Sequence, residues 1–124
     1  RGNMSTDREQ MGVKKLKEVE GEAGEKVVES LKGIAPDLAR YIVEFAFGEI
    51  YTRESLNLRE REMITLASLL TAGGCEAQLE VHIKASLHVG MSKEEIIECF
   101  LQCIPYTGFP KVLNGVAVAK KCFS

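Results

Sequence analysis

Apolar residues return every three or four positions through most of this chain, and short runs of Gly, Pro and Asn cut the pattern into pieces. That is the period of a helix, and no stretch alternates apolar with polar residues between hairpin turns. The pattern predicts an all-α protein of about six to seven helices. Met11, Lys15, Leu16 and Val19 define a first amphipathic helix from Asp7 to Val19, which Gly21 and Gly24 break. Glu25 to Gly33 suits a second. Pro36 and Asp37 open a third, Asp37 to Ile50, because proline is tolerated in a first turn and an acid there favours the helix dipole.

After a polar stretch from Tyr51 to Asn57, Asn57 can cap a helix that carries Met63, Ile64, Leu66, Ala67, Leu69 and Leu70 and stops at Gly73-Gly74. The next runs from Cys75 to Val89 and ends at Gly90. Ser92 and Glu95 form a capping box for Lys93 to Tyr106, and Pro110 starts the last helix after the Gly108-Phe109 turn. Ile64 to Leu70 and Ile96 to Ile104 are apolar on more than one side, so these helices must be central or covered by a partner. In a chain of 124 residues not every such helix can be central. A homo-oligomer that completes its core between subunits is therefore expected.

Composition narrows the function without naming it. With 45% apolar residues the chain fits one domain over residues 4–124, and residues 1–3, ahead of Met4, read as a vector-derived remnant. A net charge of −2 with interspersed signs gives no field to hold a nucleic acid. No apolar run reaches the roughly 18 residues of a membrane span and no signal-peptide core opens the chain, so a cytoplasmic protein is expected. Four scattered cysteines are too few for a disulfide scaffold and point to reduced thiols.

The residues able to do chemistry concentrate between Leu58 and Val89. Cys75, Gln78, Leu79, His82 and Ser86 share one helical face, which joins a thiol to an imidazole. His82 has the side chain best matched to proton transfer near neutral pH; the alternative is a half-buried histidine tied to a carbonyl. Cys75 follows two glycines at a helix N-terminus, where the dipole favours thiolate, or else is a small buried hydrophobe. Glu62 stands early in an apolar helix, as an acid or base raised by burial or as a first-turn acid. Arg53 and Arg61 could hold a substrate carboxylate or pair with Glu49 or Glu54. Tyr106 lines a pocket or closes the core. Cys99 and Cys103 lie four apart without a His or acid at ligand spacing, so no metal site is expected there.

The order of four motifs, Arg40 to Arg53, Leu58 to Glu62, His82 to Gly90 and Tyr106 to Pro110, resembles the carboxymuconolactone decarboxylase family from about Val13 to Phe123. The resemblance implies the helical fold shared with the alkylhydroperoxidase AhpD, assembled as a ring-like homo-oligomer, a hexamer or a trimer. It also implies one of two chemistries, neither needing a bound cofactor. The decarboxylase branch turns 4-carboxymuconolactone into 3-oxoadipate enol-lactone and carbon dioxide, with His82 moving the proton, Arg53 and Arg61 anchoring carboxylates, and Glu49 or Glu62 assisting. The AhpD branch reduces peroxides through a Glu, a Cys-x-x-Cys pair and a His; Glu62, Cys75 and His82 match, but Gln78 replaces the second cysteine. A third reading is a non-enzymatic member that keeps the fold without the chemistry.

Overall fold

Helix follows helix in the computed structural model, which describes the backbone from residue 2 to residue 124 and the side chains from residue 7. Arg1 and the side chains of the expected remnant lie outside the described residues. The elements are α1 (Gly2–Leu31), α2 (Pro36–Tyr41), a π-helical segment (Ile42–Ile50), α3 (Leu58–Ala72), α4 (Glu76–His88), α5 (Lys93–Thr107) and α6 (Phe109–Phe123). No strand occurs among the described residues. The fold is all-α, as the periodicity predicts.

Contacts gather into two units, Arg1–Asn57 and Leu58–Ser124. In the first, α1 packs along the π segment and α2. The expected break falls at Gly21, whose φ of 62° and ψ of −145° are non-helical, while Gly24 stays within the helix and packs near Leu16 and Glu20. Ile42–Ile50 differs from expectation: the third helix does not continue as an α-helix but widens, with the Tyr51 N–H donating five residues back to the Ala46 carbonyl at 2.9 Å. Two glycines let α1 lie against it. A Cβ on Gly12 would fall on the Val43 carbonyl, and one on Gly48 would stand 3.0 Å from the Arg8 carbonyl. Arg8 and Glu49 form an ion pair across the same seam.

The second unit is a four-helix arrangement in which α3 and α6 each pack on both α4 and α5. Its core contains Leu66, Leu70, Leu79, Ile83, Ile96, Phe100, Val112, Val118 and Ala119. The ends of its helices follow the sequence punctuation closely. Gly73, Gly74, Gly90 and Gly108 all take positive φ, where a side chain is disfavoured. Ser92 accepts from the Glu95 N–H at 3.0 Å and Glu95 accepts from the Ser92 N–H at 2.9 Å, which is the predicted capping box. The Lys111 ammonium donates to the Thr71 carbonyl at 2.7 Å, placing a cation on the C-terminal end of α3.

Candidate active site

Buried positions on α3 recur four apart: Glu62, Leu66 and Leu70. A carboxylate therefore occupies the first rung of a core ladder whose other rungs are leucines. Its accessible surface is zero. A buried carboxylate demands a hydrogen-bonding partner, since an uncompensated one would cost several kcal/mol, on the order of the penalty for any buried ion. Glu62 Oε1 has one in His82 Nδ1 of α4 at 2.9 Å.

Three features of α4 deliver His82 to that point. Leu79, Ile83 and Ser86 are buried, which fixes the rotation of the helix and leaves His82 at the edge of the inward face. Ser86 Oγ donates to the His82 carbonyl at 2.7 Å, satisfying a fully buried hydroxyl within the same helix. The imidazole itself is 17% exposed, and Glu62 lies beneath it. An Nδ1–H donated to the carboxylate would fix the tautomer and the ring plane and leave Nε2 as the nitrogen able to exchange a proton. A buried acid orienting a partly exposed imidazole is a unit that can take up and return one proton.

Cys75 lies on the same helix but at its very start, as the residue that precedes the first turn, and is half-buried. Its thiol donates to the Gly73 carbonyl at 3.4 Å. The expected start of the helix at Cys75 shifts by one residue to Glu76, because Cys75 has φ of −118° and ψ of 35°. Arg61, next to Glu62 on α3, is half-buried, and Thr65 Oγ1 donates to its carbonyl at 2.9 Å. In the first unit, Glu49 is exposed on the π segment and paired with Arg8, and Arg53 is exposed in the turn that follows, its N–H donating to the Ile50 carbonyl at 3.1 Å. Tyr106 does not close the core: its ring is 81% exposed on the last turn of α5.

Other charged and sulfur groups of this unit have structural roles. Arg59 donates to Glu95 at 2.6 Å, joining the start of α3 to the start of α5, and this bond holds the Glu95 carboxyl below its ordinary value. Burial pushes the Cys99, Cys103 and Cys122 thiols up, away from the thiolate form. Among the described residues no three His, Cys, Asp or Glu side chains gather where they could hold a metal ion, and no helix is long and apolar enough to cross a membrane.

The residues singled out Glu62 and His82 one by one, the resemblance grouped both with Cys75, and the fold joins the acid to the imidazole across 20 residues. The stripe, an acid in register with two leucines, is the sequence signal for the burial of Glu62. Residues 36–121 match the profile of the carboxymuconolactone decarboxylase family. A 4-carboxymuconolactone decarboxylase of Acinetobacter baylyi is 32% identical over 96 residues, 77% of this chain and 71% of the relative. A nitrosuccinic acid decarboxylase of Metarhizium robertsii is 29% identical over 115 residues, 89% of this chain and 77% of the relative. An uncharacterized 15.0 kDa protein of Paracoccus denitrificans is 24% identical over 96 residues, covering 77% and 72%. The match spans most of the chain, including both helices that carry the buried acid and its imidazole, and the chain belongs to the carboxymuconolactone decarboxylase family.

Proposed function

We propose that this protein is a cofactor-independent decarboxylase of a small carboxylated lactone or a related acid, with His82 as proton carrier and Glu62 as the group that orients it. The observation that carries the proposal is the 2.9 Å bond between the fully buried Glu62 and the partly exposed His82. In the reaction the carbon–carboxylate bond breaks, carbon dioxide leaves, and the electron pair passes into the conjugated carbonyl system. His82 then returns a proton to carbon through Nε2, and Glu62 stabilises the charge the imidazole carries before it does so. Half-buried Arg61, next to Glu62 in sequence, is the nearest arginine along the chain to this acid and would meet a substrate carboxylate. Two relatives bear the names of decarboxylases that act on different acids, which supports the reaction type more than any one substrate.

The exposed apolar side chains of the second unit, Ile64, Leu101, Tyr106, Phe109 and Leu113, favour a homo-oligomer in which they are covered, and light scattering on the purified protein would read its size. A second reading, thiol-dependent peroxide reduction, draws on the half-buried Cys75 at the head of α4. It requires a resolving thiol from another molecule because Gln78 stands at the vicinal position. Two assays on the wild-type chain separate the readings: carbon dioxide release from 4-carboxymuconolactone and related acids, and peroxide consumption with a dithiol. Decarboxylation without peroxide consumption is expected. Peroxide turnover that vanishes in Cys75→Ser, with no acid decarboxylated, would overturn the proposal.

A further inference from the structure

The break in α1 divides it into two limbs that fold back on each other. It falls at Gly21, whose φ of 62° and ψ of −145° mirror an extended conformation and disfavour any residue with a Cβ. A Cβ on Gly24 would stand 2.8 Å from Leu16 Cδ1, and the Lys17 ammonium meets the Glu25 carboxylate at 3.6 Å. In both cases the partners lie eight positions apart, which an unbroken helix would hold about 12 Å from each other. The limbs do not close completely. A cavity of about 350 Å³ remains, lined by Glu9 and Val13 of the first limb, by Val28 and Lys32 of the second, and by residues of α2 and the π segment.

The residues of α1 also suit a straight helix. On the first limb Gly12, Leu16 and Val19 are buried, and unbroken helical spacing carries that stripe on to Ala23 and Val27. Both are exposed in the kinked form, Val27 by 40%, while Gly24 and Val28 are buried in their place, one position out of register. We propose that Gly21 is the hinge of an exchange between two copies of this chain: it turns helical, and residues 7–20 leave their own π segment for that of a second copy, which returns the contact. The seam survives intact between copies, with Gly12 against Val43, Gly48 against Arg8 and Arg8 paired with Glu49. What straightening gives up is the contact between the limbs, Leu16 at Gly24 and the exposed Lys17–Glu25 pair, which contributes little. What it gains is a helical Gly21 and an apolar stripe that runs unbroken through Val27. The exchange belongs to the first unit and needs neither Glu62 nor His82.

The test places spin labels, carried by non-canonical amino acids, at the exposed positions of Glu9 and Lys32 in the full chain and reads distances by pulsed electron paramagnetic resonance. Within one chain the kinked helix keeps both labels at one cavity, whereas a straight helix sets them about 35 Å apart at roughly 1.5 Å per residue. In doubly labelled chains diluted with unlabelled ones, the long distance should grow with total protein concentration. In a mixture of chains labelled singly at one position or the other, a short distance should appear between chains. Association through the second unit alone changes neither distance, so oligomer size is not the readout. Gly21→Ala should raise the association constant for exchange about 1000-fold, because each of two hinges loses a conformation alanine disfavours and gains a better helix former, about 30-fold apiece. A folded Gly21→Ala protein that keeps the short distance within one chain would overturn the proposal, and so would a long distance with no short one between chains. If Gly21→Ala does not fold, the wild-type mixture decides: held at high concentration, it contradicts the exchange if the short interchain distance never appears.

Discussion

Replacing Glu62 with glutamine changes one atom in a place that water does not reach. The side chain keeps its size, so the α3 ladder with Leu66 and Leu70 stays filled, and the amide oxygen can still accept from His82 Nδ1 at the 2.9 Å now occupied by Oε1. What is lost is the charge. A hydrogen bond to a charged group contributes about 1.5–3 kcal/mol and a neutral one about 0.5–1.5, so the difference is roughly 1–2 kcal/mol, felt when the imidazole is positively charged. At about 1.4 kcal/mol per factor of ten, kcat for carbon dioxide release should fall about 5- to 30-fold, with KM little changed. Melting temperature should stay near wild type. Glu62→Ala differs in kind: it empties part of the core and leaves a mostly buried donor without its acceptor, costing about 1–3 kcal/mol from the orphaned bond alone. At about 4 °C per kcal/mol for a chain of this size, melting should drop by about 4–12 °C. A folded Glu62→Gln protein with wild-type kcat would refute the role given to the carboxylate.

Other consequences follow from the same contacts. In the first unit, Gly12→Ala sets a methyl group against the Val43 carbonyl, a backbone atom that cannot rotate aside, and should cost about 1–3 kcal/mol or more by thermal denaturation. Gly115→Ala meets the end of the Leu70 side chain, which can turn away, and should cost less. The depressed Glu95 carboxyl stabilises the fold above its ordinary unfolded value, and this contribution is lost as pH falls through its lower folded value; Glu95→Gln should therefore lower melting temperature at neutral pH and converge with wild type in acid. Burial keeps Cys99, Cys103 and Cys122 protonated, so at pH 7 iodoacetamide should label them more slowly in the native protein than in denaturant, as peptide mass mapping would read.

Much of the second unit was legible from residues alone because its boundaries are written in local chemistry. Gly73-Gly74, Gly90, the Ser92–Glu95 box and Pro110 act within a few residues of themselves, so they hold whatever the rest of the chain does. The π segment was not legible. Its widened turn accompanies the close lie of α1 at Gly12 and Gly48, a contact about 30 residues away in sequence for the first of them and about 40 for the second. The site divides in the same way. Glu62 and His82 each stood out as residues at odds with their apolar surroundings, but their bond is tertiary and needs two helices in register. Cys75 and His82, seven apart on one face, suggested a pair from spacing, whereas the fold turns the thiol to Gly73 and the imidazole to Glu62. Tyr106 precedes a turn rich in Gly and Pro, and nothing local tells an aromatic ring whether it faces the core or the outside of the unit.

The measurement that bears most directly on the account is the rate of carbon dioxide release by His82→Asn, set beside wild type on the best-used acid, with folding checked by circular dichroism. Asparagine can still bond Glu62 but cannot carry a proton near neutral pH. The account predicts that kcat falls about 10²- to 10⁴-fold, the usual contribution of a positioned acid–base group. An unchanged kcat in the folded variant would contradict it.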